Sequence, residues 1–328
     1  MESTILSVAQ GFNLKCTKSK VYKDKFGHIC ATTRGAVRIQ RAGSRRVQTS
    51  GSGRIDIAAS ILFVHEVKEH LHRSGFMVDR FLTSVHGVPY FRAESSIDAD
   101  IYTASYVQTG TNVGFADGGA FLDVVSHVAG MHSVLAAADI SAVAVKKAKI
   151  SDDAAKKTLN SLSSLKKKLL KAGRFSDFDM LFLRGYEKLA PHIVAFGDAG
   201  ADENHICHNL LKEENIFRQN SEIAITNFVE AAQMHHLHDL AYIIKRHIKS
   251  KPREIVFIDK IVDTYAANCD MTLDEALFRR ILSYPDKFIK VTMDYYSKKR
   301  SFAPNTYISR MQECLRVAEI ISENHESR

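Results

Sequence analysis

Cysteine is scarce and poorly placed in this sequence: Cys16, Cys30, Cys207, Cys269 and Cys314 are odd in number, far apart and never in a C-x-x-C pair. That spacing excludes a disulfide framework and the usual zinc ribbons, and it fits a reducing compartment. No run of about 18 apolar residues stands out. The opening Met1-Glu2-Ser3-Thr4-Ile5-Leu6 carries an early acid and no basic stretch ahead of an apolar one. A soluble protein made in the cytoplasm, with no membrane partner, is the expectation. The motifs GxSxG, HExxH and GxxxxGKS/T are all missing. No self-similarity at a period of 20–50 residues suggests a solenoid or propeller.

What is there is globular. The chain has 328 residues, 45% of them hydrophobic and 25% charged, which suits one or two folded domains. The net charge of +8 is concentrated at the start. Residues 1–55 hold eleven bases, from Lys15 to Arg54, against Glu2 and Asp24, while the remainder is nearly balanced. Such a region can meet nucleotide phosphates, nucleic acid, anionic lipid or an acidic protein surface, or it can simply be solvated. Without interleaved surface aromatics, nucleic acid is the weakest of these partners. An acidic assembly surface is favoured, and removal of residues 1–19 is expected to leave the fold intact.

Strand-rich segments come first. Lys20–Ile29 and Gly35–Ile39 flank the turn-like Thr33-Arg34-Gly35 and read as a hairpin, followed by a loop over Gly43–Gly53. Helical spacing of Ile57, Ile61, Val64 and Leu71 predicts a helix over Asp56–Ser74, stopped by Gly75. Arg80–Val85 and Val88–Arg92 read as paired strands, followed by Ile101–Val107. Beyond Gly110 helices dominate: Phe121–Leu135, Ser151–Leu170, Phe257–Ala266, Leu273–Leu282 and Asn305–Ser322. Lys166, Lys167, Lys168 and Lys171 lie opposite the leucine stripe of the second of these and suit a solvated face. A strand pair interrupts at Ile206–Phe217 and Ile223–Phe228.

Three pieces follow in order: Ile206-Cys207-His208-Asn209-Leu210-Leu211-Lys212-Glu213-Glu214-Asn215-Ile216, then Ile225-Thr226-Asn227-Phe228-Val229, then His238-Asp239-Leu240-Ala241. They resemble the C-terminal lobe of kinase-like phosphotransferases, where H-x-D-x-x-x-x-N precedes a strand ending in D-F and a helix entered through D-L-A. Further features join them: Cys207-His208 opening the loop, Leu282-Ser283-Tyr284-Pro285-Asp286-Lys287-Phe288, the pair Tyr295-Tyr296, and Phe63–Leu71 ahead of Gly75-Phe76. With these the chain resembles the CotS family of bacterial spore-coat proteins, relatives of the aminoglycoside and choline kinases. The resemblance covers roughly residues 20 to 320.

The resemblance implies a two-lobed α+β, protein-kinase-like (aminoglycoside phosphotransferase-like) fold. Residues 1–107 would form the N-lobe, a twisted antiparallel sheet plus one helix. Residues 108–328 would form a mainly helical C-lobe carrying a catalytic-loop-like segment at 205–229. It also implies degenerate chemistry. Phosphoryl transfer needs an acid at the acceptor, an acid and an Asn on magnesium, and a Lys on the phosphates. Leu210 falls at the catalytic Asp, Asn227 at the metal-binding Asp and Gln40 at the phosphate-binding Lys, with Arg38 and Arg41 as imperfect stand-ins. Glu66 or Glu69 would be the helix acid that pairs with that Lys. Asn215 remains as a cofactor ligand, and His208 and Asp239 remain as structural residues bracing the loop. Rescue by Asp202, Glu203, Glu213, Glu214 or Glu230 requires hydrogen-bond reach.

No metal is expected at His205, Cys207 and His208, nor at His235, His236 and His238, because adjacent histidines cannot all face one ion without an unusual loop. The expected function is that of a catalytically inactive pseudokinase in spore coat assembly, made in the mother cell and partnered by other spore coat proteins, with no cofactor. The alternative is an active small-molecule kinase, or a nucleotide-binding protein with rearranged residues, using ATP and Mg. The coat layer, the particular partner and the oligomeric state are left open.

Overall fold

The structure is a computed structural model that describes the chain except residues 1, 17–20, 25–26, 34, 45–56, 95–98, 139, 141–151, 198–204, 251–256, 298–302 and 327–328. Seven of the eleven early bases (Lys18, Lys20, Lys25, Arg34, Arg45, Arg46 and Arg54), most of the Gly43–Gly53 loop, Ser151, Asp202 and Glu203 lie outside the described residues. A sheet-rich N-terminal region and a helical C-terminal region make a two-lobed α+β fold. By contacts the chain groups into two compact units, each discontinuous in sequence. The first is Met1–Gly114, Gly130–Lys146 and His208–Gln233, and the second is Phe115–Ala129, Lys147–Cys207 and Met234–Arg328. The loop segment from His208 onward thus groups with the early strands, whereas the sequence reading divides the chain once, at 107/108.

The first unit opens with α1 (Glu2–Gly11), followed by β1 (Val21–Lys23), β2 (His28–Thr32), β3 (Gly35–Ser44), α2 (Ile57–Arg73), β4 (Met77–Val78), β5 (Phe91–Glu94), β6 (Ala99–Tyr106) and β7 (Thr111–Asn112). Five strands form an antiparallel sheet in the order β1-β2-β3-β6-β5. Alternation along β3 sends Val37 and Ile39 to one face, both fully buried, and Arg38 and Gln40 to the other. On the Val37 face sits α1, whose Ile5, Val8 and Ala9, with Phe12 just past its end, recur at helical spacing and share a core with Cys30, Val37, Ile39, Tyr102 and Ala104.

Two expectations are corrected here. Residues 80–92 do not form a strand pair: Phe81 makes an isolated bridge to Ser105, Ser84–Val88 is a turn closed by Ser84 N donating to Val88 O, and β5 pairs with β6 instead. Gly87 in that turn has φ 75°, a conformation that ends a strand rather than extends one. Nor is the N-terminus dispensable, because α1 supplies part of the sheet's core.

The remaining strands of the first unit are β9 (Ile216–Gln219) and β10 (Glu222–Ile225), a hairpin across Asn220, and short β11 (Ala232–Gln233). The strand pair read at Ile206–Phe217 and Ile223–Phe228 is shorter than expected, because residues 208–215 form a loop ending in a 3-10 turn and Phe228–Glu230 is a second 3-10 turn. β9 and β10 join β4 and β7 in a second sheet of order β4-β10-β9-β7, with β4 and β10 parallel. That parallel step places Val78 beside Ile225, so Asp79, just after β4, and Asn227, two residues after β10, come together.

The rest is helical: α3 (Gly118–Ala136), α4 (Asp152–Ala172), α5 (Asp177–Gly197), then short strand β8 (Ile206–Cys207), and α6 (Leu237–Ser250), α7 (Phe257–Asn268), α8 (Glu275–Ser283), α9 (Asp286–Tyr296) and α10 (Pro304–Glu326). Against the sequence reading, α3 is long and apolar enough to cross a membrane by length and composition alone. Its Phe121, Val124, Val125 and Val128 are nevertheless fully buried within the protein. In the second unit α5, which the sequence reading passes over, packs against α9 and α10 through Phe178, Phe182, Phe288, Tyr295, Tyr296 and Tyr307. Gly185 makes that approach close: a Cβ there would stand 2.6 Å from Phe288 and 2.7 Å from Leu315.

Deleting residues 1–15 is expected to destabilise the chain. Burial of side chains such as Ile5, Val8 and Phe12 contributes about 1.5–3 kcal/mol each, against a total stability of about 5–15 kcal/mol. A thermal melt checks this, and an unchanged midpoint would show that α1 is not part of the core.

Candidate functional site

The loop between β8 and β9 is held from inside. His208 is fully buried; its Nε2 donates to Thr226 O at 2.9 Å, and its Nδ1 accepts from Leu210 N at 3.1 Å. One ring nitrogen must donate and the other accept, which fixes the neutral Nε2–H tautomer. Asn209 takes φ 59°, a left-handed conformation that Asn tolerates, and its Nδ2 donates to Glu230 O at 3.3 Å. A 3-10 turn over Glu213–Asn215 then brings Asn215 inward, 1% exposed. The backbone oxygen of Asn215 accepts from Thr226 N at 2.9 Å, stitching the loop to the end of β10.

Around Asn215 the hydrogen bonds run in series. Asn215 Nδ2 donates to Leu210 O at 2.8 Å, and Asn227 Nδ2 donates to Asn215 Oδ1 at 3.3 Å. Asn227 sits at φ 65°, ψ 54°, and its backbone N donates to Asp79 Oδ1 at 3.1 Å. The same Asp79 oxygen lies 3.1 Å from Lys68 Nζ. Lys68, 1% exposed, also lies 3.8 Å above the centre of the Phe81 ring. Burial pushes Lys68 below the ordinary lysine range, and the Asp79 carboxylate pulls part of that shift back.

The structure thus brings His208, Leu210, Asn215 and Asn227 together, the four loop positions singled out by the resemblance. It adds Lys68 and Asp79, which sequence reasoning missed. The signal was available: Val64, Val67, Lys68 and Leu71 form one i, i+3, i+4, i+7 stripe, and all four are buried. Glu66 is exposed, and Glu69 faces Arg80 with two hydrogen bonds of 2.7 and 2.8 Å. Partial burial raises Glu69, but those bonds and the Arg80 charge outweigh it and hold the carboxyl below its usual range. Neither acid is the inward-facing polar residue of α2.

Gln40 stands on β3 opposite Thr103 and is not part of this hydrogen-bond series. Beside it the β1–β2 turn is closed by Asp24, whose carboxylate accepts from Gly27 N at 2.8 Å and from Arg38 Nη2 at 2.9 Å. A Cβ at Gly27 would stand 2.4 Å from Ile39 O, so the turn lies directly on β3. Arg38 is therefore occupied by a carboxylate, and Arg41 by Asp100 at 2.7 Å.

Asp239 belongs to the second unit, where it is 1% exposed in the first turn of α6. Its charge acts on Cys207, whose Sγ donates toward Met234 O and His235 O. Burial, and after it that charge, raises the Cys207 thiol well above its ordinary range.

Chemically, the series around Asn215 offers neutral amide oxygens, one of them already accepting a hydrogen bond, and a carboxylate already matched to a lysine. A hard divalent cation prefers anionic oxygen.

No protein-family model matches this chain, and no curated protein matches its sequence. Solved structures do match in shape. An aminoglycoside phosphotransferase from Alicyclobacillus acidocaldarius is similar with a TM-score of 0.69 at 15% identity, over 98% of this chain and 94% of that one. The chain has the aminoglycoside phosphotransferase-like kinase fold. A spectinomycin phosphotransferase solved with ADP and spectinomycin shares this kinase fold at a TM-score of 0.67 and 11% identity, over 99% and 98% of the two chains. An amicoumacin kinase solved with AMP-PNP and Ca2+ does so at 0.64 and 12%, over 97% and 93%.

Removing one member of the buried pair leaves the other charge without its partner. Lys68→Met and Asp79→Leu are each expected to cost about 3–5 kcal/mol, and the double variant less than their sum. Denaturant melts of the three variants check this; additive losses would mean that the pair is not coupled. In the folded chain Cys207 is expected to resist iodoacetamide at about pH 7.5, because almost no thiolate exists there. Mass spectrometry should find that site alkylated only after unfolding.

Proposed function

We propose that this chain is a catalytically inactive, kinase-like protein that works in the spore coat, as a component or in its assembly. One observation supports the loss of chemistry best: the amides of Asn215 and Asn227 bond to each other, and Leu210 supplies only its backbone oxygen to the series. On the resemblance to phosphotransferases, position 210 is that of the catalytic acid and 227 that of the metal-binding acid. A leucine neither accepts a proton nor orients a hydroxyl, and an amide replaces the anionic oxygen that magnesium prefers. Gln40, in place of the phosphate-binding lysine, cannot neutralise phosphate charge. On this reading base and metal anchor are absent from the Asn215 series, and the phosphate clamp from β3. The coat role rests on the resemblance to the CotS family, and other coat proteins would be the partners. His208 and Asp239 keep structural roles in this reading.

A working small-molecule kinase is the second reading, favoured by the phosphotransferases that share the fold. Thermal melting with millimolar ATP and magnesium separates the two. A nucleotide at a hundred times its dissociation constant stabilises a fold by about 2.7 kcal/mol, a shift easily seen. The expected shift is near zero, with no radiolabelled phosphate passing to small-molecule acceptors such as aminoglycosides or choline. A clear shift together with transfer abolished by Asn215→Ala or Asn227→Ala would replace the pseudokinase with the kinase. Fractionation of spores tests the coat role separately: the chain belongs in the coat extract, and its absence there would remove that part of the reading.

A further inference from the structure

Of the fifteen histidines in the chain, three meet within the second unit. His205 precedes β8, and His235-His236 lead into α6; the two segments are tied by Met234 N donating to His205 O at 2.8 Å. His205 is half-buried, while His235 and His236 are 9% and 2% exposed. The His205 ring stands across the other two, 5.2 Å from His235 at 75° and 4.9 Å from His236 at 87°. His235 and His236 lie 4.4 Å apart at 30°. One ring nitrogen from each residue lies within 4.8 Å of the other two.

Adjacency of His235 and His236 argues against a shared ion only if the chain there is extended, and it is not. His238 N donates back to His235 O at 3.0 Å, and Leu237 N to His235 Nδ1 at 3.3 Å. This tight entry into α6 keeps the two rings side by side, and the third imidazole arrives from the other segment. We propose that His205, His235 and His236 bind one divalent transition cation, with Zn2+ the best match to three imidazoles and a fourth position open to water. Zn–N bonds of about 2.0–2.1 Å in a tetrahedron set ligand nitrogens about 3.3 Å apart. The rings therefore need to close by about 1.5 Å at most, within reach of small side-chain rotations. Ligation by His235 competes with its long bond from Leu237 N. The ion would staple the strand that enters residues 207–233 to the segment that leaves them, a structural role independent of nucleotide chemistry.

Calorimetric titration of the metal-free full chain with Zn2+, and the visible spectrum with Co2+, test the site. One equivalent should bind with micromolar or tighter affinity, and Co2+ should give the strong visible bands of a four-coordinate ion. Binding should fade as pH falls below about 6.5, where imidazoles protonate. His205→Gln and His236→Ala should each weaken it at least about tenfold, whereas His72→Gln, exposed on α2, should not change it. Should His236→Ala fail to fold, His205→Gln decides, since its side chain is only half-buried. Absence of stoichiometric binding, equal affinity in His205→Gln, or an equal loss in His72→Gln would each overturn the proposal.

Discussion

A lysine and an aspartate withdrawn from water stay charged at a cost of several kcal/mol unless each answers the other and spare hydrogen-bonding capacity is used. Lys68 and Asp79 meet that condition at 3.1 Å, and Asp79 spends the same oxygen on Asn227 N. The consequence is directional. A left-handed turn at Asn227 is pinned from its backbone, its side-chain amide is aimed at Asn215, and Asn215 in turn holds Leu210 O. The series from Asn227 through Asn215 to Leu210 is thus anchored at the Lys68–Asp79 pair.

That internal cation is also where the sequence was least legible. Local spacing identifies α2 almost to the residue, and it places Lys68 in the middle of an apolar stripe. Its partner, eleven residues on, lies just past β4, and the parallel step between β4 and β10 that carries Asp79 to Asn227 is a pairing that no local pattern announces. His208, Asn215 and Asn227, by contrast, are near one another in the motif order, and the short hairpin between Ile216 and Ile225 leaves little freedom in how its two ends meet. The assignments of catalytic and metal-binding positions to these residues come from resemblance and remain the proposal made above.

Other misreadings have similarly physical sources. The bases of residues 1–55 drew the first helix into a story about charge, although Ile5, Val8, Ala9 and Phe12 carry its burial pattern. Between Phe81 and Val88, β-branched residues suggested strands where Gly87 turns the chain. Over Asp177–Gly197, a glycine needed for close packing and an exposed proline interrupt the regularity by which a helix is recognised. In each case a tertiary demand overrode, or was hidden by, a local signal.

The amide of Asn227 has a consequence for how this sequence can drift. An aspartate there would set one acceptor oxygen against Asn215 Oδ1 and add a second carboxylate to a residue whose backbone already binds Asp79. Substitution of Asn227 by aspartate therefore meets opposition from two neighbours that are sound as they stand. Asn215 would have to turn its amide away from Leu210 O, or the Lys68–Asp79 pair would have to rearrange, before an acid at position 227 became neutral to the fold. Position 227 is in this way held by the stability of the fold.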